Sequence, residues 1–138
     1  MRAQDRYEAL AAGDAQALEA LADEILAAGI EVSVTSGPES VSAPVRVNVS
    51  GSGDTTVVLG HVALTRCTVA VDGVRGDGLR VGHDLAGAVA AAICDAECER
   101  GGPFAARVQQ LCRSAQHQHA RRRSERADLV AMTTLDEP

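Results

Sequence analysis

The 138-residue chain carries a formal net charge of −6 at pH 7 and contains one Phe, one Tyr and no Trp. Its length is that of a single domain with a modest hydrophobic core, which Val, Leu, Ile and Ala must fill. No apolar run approaches the roughly 20 residues that cross a membrane, and charges interrupt the N-terminus where a signal peptide would be apolar. We therefore expect a cytoplasmic protein whose four cysteines are thiols.

The first 29 residues predict two helices. A short helix covers residues 2–11, and Asp14 is a favourable N-cap for a second helix that Gly29 is placed to end. Apolar residues of the second helix recur three and four positions apart, which predicts one buried face. That face consists of Leu18, Leu21, Ala22 and Ile25.

Strands are predicted next, where apolar and polar residues alternate. Residues 30–34 and 45–49 show this alternation, and the Ser-Gly-Pro-Glu sequence at 36–39 predicts a turn between them. Residues 50–54 are Gly and Ser with one Asp, which predicts a hairpin loop. They lack the Lys of a phosphate-binding P-loop.

The longest β-like run covers residues 57–81. Asp72-Gly73 divides it, and because Asp and Gly both tolerate positive φ, this pair predicts a two-residue hairpin turn. Gly60 indicates a bulge or a close approach of the backbone. The whole pattern predicts an α+β fold: an antiparallel sheet of four or five strands, N-terminal helices and two long C-terminal helices.

Two helices are predicted after the sheet. Asp84 can cap a helix that runs to about Arg100, and Pro103 suits the first turn of the next helix. The first of these helices has a second face of small residues, which either admits a partner helix or is a wet surface rich in a good helix former. This candidate partner face consists of Gly87, Ala90, Ala91, Cys94 and Cys98.

Domain limits and charge complete the outline. Residues 1–128 form one predicted domain, and residues 129–138 a tail that is disordered or bound to a partner. Residues 1–60 hold three Arg and nine Asp or Glu, whereas residues 100–126 hold seven Arg and one Glu. This asymmetry indicates either internal pairing of the two regions or two different partner surfaces.

Few residues suggest chemistry. Cys94 and Cys98 lie one helical turn apart but lack further ligands at a recognisable spacing, so we expect no metal. The Arg121–Arg126 cluster stands in an acidic chain with almost no aromatic residues for base stacking, so we expect no nucleic acid. Arginine forks and histidines match phosphoryl oxygens. The candidate anion-binding residues are His61, Arg66, Arg80 and His83.

The central stretch resembles the G subunit of the bacterial carbon–phosphorus lyase system, PhnG. The resemblance extends to the helical N-terminus and the Ala/Arg-rich C-terminal helix. His61 stands where the family usually has Glu, and His83 where it usually has Arg, which marks a divergent member. The matching positions are Leu59, Gly60, Thr65, Arg66, Cys67, Gly82 and Asp84.

The resemblance implies a subunit of the carbon–phosphorus lyase core complex, in which G, H, I and J subunits assemble. In that family the G subunit takes part, with the I, H and L subunits, in coupling an alkylphosphonate to the ribose of MgATP. It implies an accessory role, no cofactor bound by this chain alone, and MgATP as a substrate of the assembled complex. The alternative is a free-standing α+β module that binds an anionic metabolite.

Overall fold

A computed structural model describes residues 1–48 and 56–135. Two helices come first, then three strands, then two further helices. Their bounds are α1 Ala3–Ala12, α2 Ala15–Ala27, β1 Val32–Asn48, β2 Thr56–Val71, β3 Val74–Val81, α3 Leu85–Glu99 and α4 Ala105–Leu135. The α+β class is thereby confirmed, as is the cap of α2, where the Asp14 carboxylate accepts from the Ala17 amide at 3.0 Å.

The described residues form one antiparallel sheet of three strands in the order β1-β2-β3, so the prediction of four or five strands is wrong. The reason lies at Gly37-Pro38, which was predicted to turn the chain. It forms an irregularity within β1 instead, because Ser36 pairs with Thr68 and Glu39 already pairs with Arg66. The two predicted strands of this region are therefore one strand.

Gly37 shows why this irregularity needs glycine. Its φ is +78°, a backbone conformation that costs other residues energy. A Cβ atom at this position would also lie 2.7 Å from the carbonyl oxygen of Arg66. The turn at Asp72-Gly73, in contrast, forms as predicted, with φ values of +51° and +81°.

Helix α3 packs on one side of the sheet at very short range. A Cβ atom at Gly76 would lie 2.2 Å from the carbonyl oxygen of Ala92, and one at Gly78 would lie 2.3 Å from that of Ala88. Glycines in β3 facing alanines in α3 thus bring the backbones together, which is how a chain with two aromatic residues closes its core. The core also takes in Leu10, Leu18, Ile25, Val69, Val71, Ile93 and Val108.

The other side of the sheet is partly uncovered. Glu39 and Arg66 lie beside Leu79 on this side, and the neighbouring apolar part is here called the outer face. Val41, Leu64 and Val81 lie side by side on its three strands. Val81 is 71% exposed, and Val45 and Val62 are also exposed. The outer face consists of Val41, Ala43, Val45, Val62, Leu64, Leu79 and Val81, of which the other four are half-buried.

One end of the β1–β2 strand pair and the C-terminal half of α4 extend beyond the core. Residues 42–48 of β1 and 56–63 of β2, here called the arm, run past the end of β3, which pairs with β2 only as far as Leu64. Helix α4 is buried at Val108, Cys112 and Ala115, whereas residues 116–129 are exposed. The helix continues to Leu135, into the segment predicted as a tail. The predicted loop at 50–54 lies outside the described residues.

Candidate functional site: the start of helix α3 and the neighbouring cleft

A network of hydrogen bonds fixes the N-terminus of α3 to the sheet. The Thr65 hydroxyl, fully buried on β2, donates to the carbonyl oxygen of Gly82 at 2.6 Å and accepts from the Asp84 amide at 3.1 Å. The Asp84 carboxylate in turn accepts from the Gly87 amide at 2.9 Å and caps the helix. Thr65 and Asp84 therefore hold β2, the β3–α3 connection and the helix start in one arrangement.

Arg80 extends this network to α1. Its Nη1 atom donates to the carbonyl oxygens of Leu10 at 3.0 Å, Ala11 at 3.1 Å and Gly13 at 2.8 Å, and its Nε atom donates to Asp84 at 3.1 Å. A cation at the C-terminal end of a helix is favourable because it meets the negative end of the helix dipole. Arg80 is 9% exposed, so this guanidinium is occupied in joining elements of the fold.

The two histidines lie apart from each other. The Nδ1 atom of His83 is 3.0 Å from the Ser40 hydroxyl, which lies 3.4 Å from that of Thr65, so His83 joins the edge of the Thr65 network. His61 lies on the arm, opposite Pro44, and is exposed. The structure thus brings Arg80 and His83 to the start of α3 but leaves His61 on the arm.

Arg66 lies in a different place, an open cleft of about 790 Å³ between the start of α1 and the three strands. Its Nε atom donates to Glu39 at 2.8 Å, and both side chains are well exposed. The cleft holds three guanidinium groups and four carboxylates, a formal charge of −1, which does not favour a free anion. These charges belong to Arg6, Arg66, Arg75, Glu39, Asp77, Asp95 and Glu99.

A buried ion pair at the floor of this cleft was not anticipated from the sequence. Arg6 donates to Asp95 at 2.6 Å and also pairs with Glu99. Burial lowers the pKa of Arg6, but the hydrogen bonds to Asp95 and Glu99 outweigh it and raise the pKa overall. Asp95 also accepts from the Asp77 amide at 2.9 Å. The available signal was the Asp95 carboxylate next to the alanines of α3, since a carboxylate needs a cation when it is buried.

Tyr7, the single tyrosine, also lines the cleft. Burial and the negative charge of Asp77 raise its pKa. The phenol is therefore a neutral hydrogen-bonding group at ordinary pH. Together these groups make a polar cleft of matched charges, suited to the polar side chains of another protein more than to an isolated phosphoryl group.

A family model described as phosphonate metabolism protein PhnG matches residues 1–136. The chain belongs to the PhnG family. A search of curated proteins found no match.

The PhnG motif positions of this chain have identifiable structural places. Thr65, Gly82 and Asp84 belong to the network at the start of α3, and Cys67 is buried on the strand side that faces α3. Arg66 lines the cleft. Leu59 and Gly60 lie on the arm, where Leu59 is 70% exposed. Four of the seven motif residues therefore shape the fold, Arg66 lines the cleft, and Leu59 and Gly60 lie on the arm.

The prediction that the small face of α3 is an exposed surface for a partner is wrong. Ala90 is 3% exposed, and Ala91 and Cys94 are 0% exposed. Helix α3 lies at the centre of the chain and contacts α1, α2, α4 and the sheet. Gly87 is likewise buried and Cys98 is half-buried, so the chain covers this face itself.

Three of the four thiols of this PhnG family member are buried, and Cys98 is half-buried. Burial raises the pKa of Cys94 and Cys98, and it raises the pKa of Cys112 to about 11. These side chains are therefore thiols at neutral pH, whereas metals and electrophiles take thiolates. Within residues 1–48 and 56–135, no three His, Cys, Asp or Glu side chains are placed to hold a metal ion. No helix in the same residues is long and apolar enough to span a membrane.

Proposed function

We propose that the chain is an accessory subunit of a cytoplasmic carbon–phosphorus lyase core complex. The observation that carries this proposal is the PhnG family match over residues 1–136, which assigns the chain to phosphonate metabolism. In the proposed reaction the assembled complex joins an alkylphosphonate to the ribose of MgATP and displaces adenine, giving a ribose 1-phosphonate 5-triphosphate. For methylphosphonate the product is ribose 1-methylphosphonate 5-triphosphate. The expected partners are the I, H and J subunits.

The surface of the chain supports a role in assembly. Antiparallel sheets commonly leave one face to water, and that face is then polar. Here that side is polar at Glu39, Arg66 and Asp77, but the outer face beside them is a stripe of Val and Leu across three strands, with Val81 71% exposed. Contiguous exposed apolar surface of this kind marks an interaction site. A protein partner that covers the outer face would remove these side chains from water.

The buried contacts support an accessory role. Thr65, Arg80 and Asp84 use their polar atoms on one another and on the backbone of α1 and α3. The alternative, a free-standing module for an anionic metabolite, gains less support because the cleft around Arg66 carries a formal charge of −1 from the residues that line it.

Adenine release tests this proposal. The I, H and L subunits are supplied with MgATP and methylphosphonate, with and without the purified chain, and free adenine is measured by chromatography. We expect no adenine from the chain alone and a rate at least tenfold higher when the chain completes the mixture. Equal rates with and without the chain, or adenine release by the chain alone, would contradict the accessory role.

A further inference from the structure

Strand β2 is much longer than the neighbour that pairs with it on its β3 side. The last β2–β3 pair is Leu64 with Val81, and beyond it the Gly82 amide donates to the Ala63 carbonyl oxygen at 2.7 Å. Residues 57–62 continue along β1, with a bulge at Leu59 between the pairs Val45–Gly60 and Arg46–Val58, but no described residue pairs with them on the other side. The arm therefore presents an open edge of β2 in line with β3.

The direction of the backbone groups on this edge follows from two observations. The Ala63 carbonyl oxygen points to Gly82, away from β1, and polar groups two residues apart along a strand point to the same side. His61 therefore directs its own N–H and C=O to the open edge. Its partner on β1 is Pro44, which has no N–H to offer, and this agrees with the same alternation.

The two edges of the arm differ in their protection. Exposed strand edges in proteins are usually guarded by proline or charge against pairing with other chains. The opposite edge of the arm belongs to β1, which carries Pro44 and Arg46 there. Residues 57–62 of β2 contain neither proline nor Asp, Glu or Arg, in a chain of net charge −6. Their apolar side chains are exposed at 40% for Val57, 50% for Val58, 70% for Leu59 and 40% for Val62.

We propose that residues 57–62 of β2 are a docking edge on which a partner subunit lays an extended, uncharged strand. The unpaired backbone groups supply hydrogen bonds to that strand, and the flanking apolar side chains select an apolar one, as in other cases of strand addition. Because the edge carries no formal charge, a charged strand would lose hydration there without gaining an ion pair. The added strand would lie in line with β3, next to the exposed Val81.

This inference rests on the proposed function, since the partner is taken to be the I, H or J subunit. The proposed occupant of the docking edge is a strand of another polypeptide. Self-pairing of the same edge between two copies of this chain is a competing outcome that the test below separates.

The sharpest variant is His61→Pro, which removes an N–H on the open edge and leaves the β1–β2 hydrogen bonds intact. Two controls match it. His61→Ala removes the imidazole and keeps the N–H. Ser42→Pro places the same ring on the opposite edge of the arm. Ser42 pairs with Ala63, and because the backbone polar groups of Ala63 point to β3, those of Ser42 point away from β2. Affinity for the co-expressed I, H and J subunits is measured by surface plasmon resonance. We expect His61→Pro to weaken binding about tenfold, and both controls to bind as the wild type does.

Hydrogen–deuterium exchange of the wild-type chain gives a second measurement that does not depend on any variant folding. The His61 amide, which points to the open edge, should exchange at least tenfold more slowly in the complex than in the chain alone. Undiminished binding by His61→Pro, or unchanged exchange in the complex, would overturn strand addition and leave the proposed function standing. If exchange in the chain alone became slower as the concentration of the chain increased, the edge would be assigned to self-pairing between two copies. A wild-type chain that binds none of the three subunits would overturn both.

Discussion

The sequence and the structure suggest different roles for the side chain of Arg80. In the sequence it is a strand arginine near a helix start, a combination that suits a phosphoryl group. In the structure three backbone carbonyls and Asp84 occupy its donors. Arg66, one of the family-matched residues, has the opposite character because its pair with Glu39 is exposed to water.

Replacing each arginine by alanine should separate these roles. Arg80→Ala leaves the Leu10, Ala11 and Gly13 carbonyls without their donor and Asp84 without its cation, so we expect the free energy of unfolding to fall by about 3 kcal/mol. Arg66→Ala loses only an exposed ion pair and should cost less than about 1 kcal/mol. Urea unfolding followed by circular dichroism measures both. Equal losses for the two variants would show that the Arg80 contacts contribute little.

At the scale of elements, the chain is arranged around α3. Ten of its residues, from Gly87 to Glu97, are buried, because the sheet lies on one side and the other helices on the rest. The buried positions include Asp95, which pairs with Arg6, and Glu97, which lies 2.5 Å from Arg100. A helix in this position must be apolar and narrow on nearly every side, which its alanines provide.

The sequence pattern was sufficient for some elements and insufficient for α3, for a physical reason. Caps and turns depend on local chemistry, so Asp14, Asp84 and Asp72-Gly73 could be assigned from neighbouring residues alone. Alanine carries no such information, because it suits both a wet surface and a tightly packed centre. The continuity of β1 was equally hidden, since a Gly-Pro pair turns one chain and forms a bulge in another. Similarly, the approach of Arg6 to Asp95 depends on residues 89 positions apart.

Tryptophan substitutions on α3 test its central position. Ala91 is 0% exposed, so Ala91→Trp must displace the packed helices and should lower the free energy of unfolding by about 3 kcal/mol or more. Ala86, five residues earlier on the same helix, is exposed, and Ala86→Trp should change it by less than about 0.5 kcal/mol. Thermal unfolding of both variants compares them directly. A stable Ala91→Trp protein would contradict the packing of α3 and restore its small face as a surface.

Across the whole molecule, opposite charges pair within the chain. Part of the asymmetry between the acidic first half and the basic last helix is internal pairing, since Arg107 of α4 lies 2.5 Å from Glu24 of α2. The hydrogen bond from Arg107 lowers the pKa of Glu24, as expected for such a pair. The outer face lies on the sheet, away from this ion pair, and it exposes Val45, Val62 and Val81 to water. Because the chain covers the small face of α3 itself and part of the charge asymmetry is internal, the argument for a partner now rests on the sheet and the arm.

We propose that this chain works as part of an assembly that covers its sheet. The most direct measurement is sedimentation velocity of the chain mixed with the I, H and J subunits, for the wild type and two matched variants. Val81→Asp places a charge on the outer face at a side chain 71% exposed, and Leu26→Asp makes the same kind of change on α2 at one 44% exposed. Neither should unfold the chain, since both positions face water.

We predict that the wild type and Leu26→Asp sediment with the other subunits, whereas Val81→Asp binds at least tenfold more weakly, because burying an unpaired carboxylate is costly. A wild-type chain that sediments as a monomer in the presence of all three subunits, or a Val81→Asp variant that assembles as fully as Leu26→Asp, would contradict the account.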